Sequence, residues 1–194
     1  MEQALLTGLG LAAPAGLNAY IPLLVLALAD RLSDRIALAA PYDAISSTPG
    51  LLVLLVLLTI EIAVDKIPGL DHANDLVQTA IRPAAGAVLV LATAGGVALD
   101  PWLAGLLGVA VAGSVHAAKA AVRPVSTLGT GGLFNPLISL GEDMVAVLAS
   151  VSAIFLPILT VGFLALFAVF AVAAIRRARQ SQATPNPAST NLRR

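Results

Sequence analysis

The chain has 194 residues, 58% hydrophobic and only 11% charged, with no formal net charge, no cysteine and a mean hydropathy of +0.93. A soluble domain is about 25% charged, so this composition cannot cover a water-facing surface and implies an integral membrane protein. Balanced charge gives no reason to expect nucleic-acid binding, which favours concentrated Lys/Arg patches. The lack of cysteine excludes disulfides, thiolate chemistry and cysteine-ligated zinc or iron–sulfur centres.

The opening "MEQALLTGLG" has no basic n-region, so the first apolar run is expected to be retained rather than cleaved as a signal. A hydrocarbon core of about 30 Å takes roughly 20 apolar residues as helix. On that yardstick six spans are expected, near 4–29, 50–66, 84–99, 102–123, 136–156 and 158–175. Pro14 and Gly16 interrupt the first, predicting a broken or re-entrant segment. Between spans two and three, "GLDHANDLVQTAIRP" places Asp71, Asp75, Thr79 and Arg82 on one face. It predicts a short amphipathic helix at the cytoplasmic interface. The joint "LDPWL" is tight, with Trp102 as an interfacial anchor. Pro157 is the place for the long apolar run from Met144 to Ile175 to turn. The fold class is therefore all-α, one transmembrane domain over 1–175, followed by a polar, basic, disordered tail over 176–194.

Basic residues set the expected orientation. With the tail cytoplasmic, nine Lys/Arg, from Lys66, Arg82, Lys119 and Arg123 to the tail arginines, lie inside, and only Arg31 and Arg35 lie outside. Both termini are then expected on the cytoplasmic side.

Ionisable groups inside spans face the bundle interior and mark pathways or relays by default. Glu61 and Asp65, four apart, share a helix face at the cytoplasmic end of span two. Lys66, Lys119 and Arg123 are the cationic partners expected for Glu61 if its role is structural. His116, Lys119 and Arg123 form one stripe on span four. His116 also lies on a ridge of Ala104, Gly108, Ala112 and Ala120, which suits close helix contact. Glu142 and Asp143 enter span five at similar depth, and at most one of them points in any given direction. Asp71, His72 and Asp75 are the weak candidates for a divalent cation, although their spacing matches no metal motif. The glycine-rich "STLGTGG" could cradle a phosphate beside Lys119 and Arg123 but lacks the P-loop ending.

The segments "GLNAY", "DKIPGLDHANDLVQTAIRPAAGA", "HAAKAAVRP" and "NPLISLGED" together resemble a family of small bacterial membrane proteins catalogued as domain of unknown function 4126. The resemblance runs over most of residues 5–175. It implies a multi-spanning membrane protein with marked positions at Asn18, Glu61, Asp65, Lys66, Pro68, Asp71, His116, Lys119, Arg123, Glu142 and Asp143, and it implies no activity.

The leading expectation is a small transporter or channel of the bacterial inner membrane. Its ion- or solute-binding site would comprise Glu61, Asp65, Lys66, His116, Lys119, Arg123, Glu142, Asp143 and, through the break in span one, Asn18. Proton coupling would run through the carboxylates and His116. The partners expected are the lipid bilayer and a small ion, solute or lipid phosphate, with self-association left open. No catalytic residue is singled out, and no cofactor beyond a divalent cation is foreseen. The competing readings are a phosphorylated-lipid translocase or metal-dependent intramembrane enzyme, and a non-catalytic scaffold whose charges only lock helices.

Overall fold

The computed structural model describes residues 2–65, 67, 70–95, 98–130, 135–160 and 162, with side chains described at all of these except 2, 70–72 and 122–130. The elements are α1 (Glu2–Ala15), α2 (Tyr20–Leu32), a 3-10 turn (Tyr42–Ser46), α3 (Thr48–Asp65), α4 (Leu70–Thr93), α5 (Pro101–Thr130) and α6 (Asn135–Phe155), with no strand among the described residues. All belong to one compact unit, Met1–Val161.

Four segments are long and apolar enough to cross a membrane: Thr48–Asp65, Ala73–Thr93, Pro101–Ala121 and Asn135–Phe155. Their burial pattern is consistent with a membrane protein. Along α3 only Leu54, Glu61 and Asp65 are buried, while Leu52, Val53, Leu55, Val56 and Ile60 are exposed. The helix thus turns its carboxylates inward and its leucines outward. That is the arrangement favoured where the surrounding solvent is apolar and polar groups must find partners inside.

The first run of apolar sequence does not cross as one helix. α1 has 14 residues and α2 has 13, so each is about 20 Å long at 1.5 Å per residue, short of a 30 Å core. They form a hairpin. The start of α1, at Gln3 and Thr7, borders the same cavity as Arg35 and Tyr42 beyond α2. The tip, Gly16–Ala19, presses into α5. A Cβ on Gly16 would lie 2.5 Å from the Ala112 carbonyl oxygen and 2.9 Å from the His116 nitrogen. The bare backbone of glycine permits that approach. Asn18 then starts α2, its Oδ1 accepting from the N–H groups of Tyr20 and Ile21, both at 3.1 Å, as a helix cap does. The break expected at Pro14 and Gly16 is therefore present, as a turn between two short helices.

The start of α1 lies at the end of the bundle opposite Asp65 and Lys119, which pack at the tip.

α4 and α5 form the tightest pair and run antiparallel. A Cβ on Gly86 would meet the Ala112 Cβ and the Gly108 oxygen, each at 2.5 Å, so the expected small-residue ridge of α5 is where the two backbones meet. α5 starts as "DPW" predicts, with Asp100 Oδ1 accepting from the Trp102 N–H at 2.8 Å and Pro101 in the first turn.

Two other expectations give way to helix. The amphipathic segment 70–83 is not a separate interfacial helix, because α4 runs unbroken from Leu70 to Thr93 with Pro83 inside it. Its polar face meets Glu61, Asp65 and His116 within the bundle, which removes the reason for it to lie in water. The segment before α6 was expected to be a glycine-rich loop, but α5 continues to Thr130. The N–H groups through Thr130 therefore belong to a helix rather than to an anion cradle. Gly131 and Gly132 lie outside the described residues, as do most of the expected span 158–175 and the tail 176–194.

Candidate functional site

At the hairpin tip, α3, α4, α5 and α6 each contribute charged side chains. The most enclosed is Arg82, which is 0% exposed. Its Nη2 donates to Glu61 Oε1 at 3.1 Å, and its Nη1 lies 3.0 Å from His116 Nδ1 and 3.9 Å from Asp75 Oδ1. Arginine only donates, so His116 Nδ1 must be the acceptor. The imidazole proton therefore sits on Nε2, which faces Thr79 Oγ1 at 3.1 Å. The Thr79 hydroxyl spends its own hydrogen on the Asp75 carbonyl at 2.8 Å, so it is free to accept from the imidazole. The result is a directed chain, Glu61–Arg82–His116–Thr79, that starts at a buried carboxylate and ends at an exposed threonine.

Beside it is a second network. Lys119, also buried, forms an ion pair with Glu142 Oε2 at 2.7 Å and donates to the Leu17 carbonyl at the hairpin tip at 3.1 Å, with Asp65 Oδ2 at 3.8 Å. Asp65 is held from α4 by Asn74 at 2.8 Å and from α6 by Ser139 at 3.3 Å. Asp143 accepts from Asn18 Nδ2 at 3.0 Å. The helix dipoles favour this assignment. Lys119 faces the carbonyl end of α1, and Asp143 reaches the amide end of α2 through Asn18. Glu142 and Asp143 diverge as adjacent helical residues must, yet both are used.

The two networks meet on α3, where Glu61 and Asp65 are one turn apart, and on α5, where His116 and Lys119 are three apart. The sequence-predicted residues Asn18, Glu61, Asp65, His116, Lys119, Glu142 and Asp143 are thus brought together. Among the described residues the cation paired with Glu61 is Arg82, which the sequence expectation did not name, while Lys119 pairs with Glu142 and Asp65. Lys66 lies outside the described residues, and the side chains of Arg123, Asp71 and His72 likewise. Asp75 faces Arg82. No cluster of three His, Asp or Glu that could hold a metal occurs among the described residues.

Sequence reading missed Arg82, Gln78, Asn74, Thr79, Ser139 and Tyr20 as site members. The available signal was the spacing of Asn74, Gln78 and Arg82 at i, i+4, i+8. The sequence expectation instead places Arg82 on an interfacial face with Asp71, Asp75 and Thr79, whereas Arg82 and Gln78 face the core. Gln78 is 2% exposed, and Tyr20 sits against Gln78, Glu61 and Arg82. Three buried atoms of this group, Glu61 Oε2, Gln78 Oε1 and Arg82 Nε, have no hydrogen-bond partner among the described residues. Buried polar atoms are normally satisfied, and each exception calls for a reason.

Four helices long and apolar enough to cross a membrane, a helical hairpin and a buried charge network at its tip are consistent with an all-helical membrane protein. The chain belongs to the family described as Domain of unknown function (DUF4126), which matches residues 5–177. No curated protein and no solved structure matches it.

Proposed function

We propose that this protein is a small carrier of the bacterial inner membrane that moves an ion or small solute, coupled to protons, through the charge cluster at the hairpin tip. The observation that carries this reading is the buried Glu61–Arg82–His116–Thr79 chain with its unsatisfied acceptors. Glu61 presents one oxygen to Arg82 and keeps the other buried, and Gln78 Oε1 is in the same condition. A proton or small cation arriving there would satisfy acceptors that the protein leaves open. His116, neutral with its proton on Nε2, links that point to Thr79 at the surface. Its protonation on Nδ1 would face two donors against each other and displace Arg82 from Glu61. Half-helices whose ends converge on charged groups inside a bundle are a device of ion-coupled carriers.

Applying the positive-inside rule, the end carrying Lys119 is cytoplasmic. The start of α1 and the 33–47 segment are then outside, the hairpin is re-entrant from outside, and α3 to α6 cross. The same reading explains why Arg31 and Arg35 are the exceptions to the charge bias.

The test is reconstitution in liposomes with an internal pH dye. Proton movement driven by alkali cations, amines or organic anions is expected from wild type and is lost in Glu61→Gln and Arg82→Met variants that still fold. Wild-type liposomes indistinguishable from empty ones for every solute class would defeat the proposal.

A further inference from the structure

One cavity of the molecule lies away from the charge cluster. It lies at the opposite end of the hairpin, with a volume of about 790 Å³. That is within the roughly 300–1,000 Å³ typical of small-molecule sites. Its walls come from the start of α1, the segment after α2, the end of α4 and the end of α6. Gln3, Thr7, Tyr42 and Thr93 contribute polar groups, and Phe155 with several alanines contributes apolar surface.

Among the described residues Arg35 is the one lining residue with a formal charge, and no Asp, Glu, Lys or His of that set borders the cavity. Its guanidinium stands over the Phe155 ring, 5.3 Å from the centroid. A guanidinium held over a ring by its charge still has N–H donors to offer a planar or tetrahedral oxyanion. Among the described residues no carboxylate forms a salt bridge with Arg35. Its place beside the C-terminal end of α6 suits the helix dipole. That explains the position of the arginine but not the enclosed volume it borders. The start of α1 turns its amide end toward the same space, adding to the positive potential.

From these observations we infer that this cavity is a binding site for a small organic oxyanion, a carboxylate or phosphate carrying a compact apolar body. Arg35 receives the anionic group, and Tyr42, Phe155 and the alanines enclose the body. The site does not depend on proton coupling at Glu61, because it is read by binding rather than flux. The anion could be a free solute or the phosphate of a lipid headgroup, and both present the same group to Arg35.

The experiment is calorimetric titration of the full chain in phosphatidylcholine nanodiscs with benzoate, phenyl phosphate and benzylamine, using empty discs as the blank. Saturable binding of at least one of the two anions, and none of benzylamine, is expected. Arg35→Gln should weaken binding about tenfold or more, as loss of a charge-assisted hydrogen bond does. Ala37→Trp, a change at an exposed lining position, should fill the cavity and abolish binding with the charge intact. Native mass spectrometry from discs containing phosphatidylglycerol separates the sources. One retained anionic lipid that Arg35→Gln loses identifies a headgroup, and solute binding without a retained lipid identifies a free anion. Benzylamine binding as well as the anions, no binding of any probe, or both variants binding like wild type would overturn the inference.

Discussion

Removing Arg82 while keeping Glu61 is the most informative single change. The two side chains are 0% and 1% exposed, so Arg82→Met leaves a buried carboxylate without its cation and also strips the donor from His116 Nδ1. Breaking a buried pair from one side costs about 3–5 kcal/mol, a shift of roughly 10²–10⁴ in the folded ratio. Replacing both partners is much milder, because no uncompensated charge remains. A Glu61→Met/Arg82→Met double variant should therefore recover about 2 kcal/mol or more of the single-variant loss. The chain has no native cysteine, so one introduced at the fully buried Ala27 reports opening by its rate of thiol labelling across a detergent series. An Arg82→Met cost under about 1 kcal/mol, or a double variant as unstable as the single, would mean that Glu61 and Arg82 do not stabilise each other as an ion pair. The network would then be wrong at its centre.

Topology is testable with the same cysteine-free background: Gln3→Cys and Asp43→Cys should label from one side of sealed vesicles and Ile67→Cys from the other. Labelling of Gln3→Cys together with Ile67→Cys would rule out the hairpin. Gly16→Val should lift the tip off α5 and destabilise by about 1–3 kcal/mol, measured by the same labelling assay, and an effect within about 0.5 kcal/mol would show that the contact is loose. Lys119→Met removes the donor to the Leu17 carbonyl, so a cysteine at Leu17 should label at least several-fold faster than in the Lys119 parent. Equal rates would show that the tip is held without Lys119. Gly108→Ala should separate α4 from α5, because its methyl would collide with the Gly86 carbonyl. A drop in thermal midpoint is expected, and an unchanged midpoint would argue against close backbone contact.

Much of this architecture was readable from residues alone. Hydropathy marks the helices that became α3, α4, α5 and α6, because a stretch of apolar side chains long enough to span a bilayer is a one-dimensional property. Pro14–Gly16 announced the break that became the hairpin tip, and Asp100–Pro101 the start of α5, since caps and proline act on their own neighbours. Charges within apolar runs singled out Glu61, Asp65, His116, Lys119, Glu142 and Asp143, because a carboxylate or ammonium in such a run has to face inward whatever its partner is.

What the residues could not show is which inward-facing groups meet. Arg82 was assigned to a watery surface because its segment is amphipathic, and amphipathic character does not say whether the polar face meets solvent or a polar core. The antiparallel register of α4 on α5, set by Gly86 against Gly108 and Ala112, brings Arg82 level with His116 and, across to α3, with Glu61. The side of the bundle from which α1 enters was equally beyond reach. A pair of 20 Å helices joined by four residues can cross once or turn back, and only packing of the Gly16 turn against α5 decides between them. Helical spacing determines which residues share a face, but the partner of that face depends on helices far away in sequence. That pairing exists only once the bundle has closed.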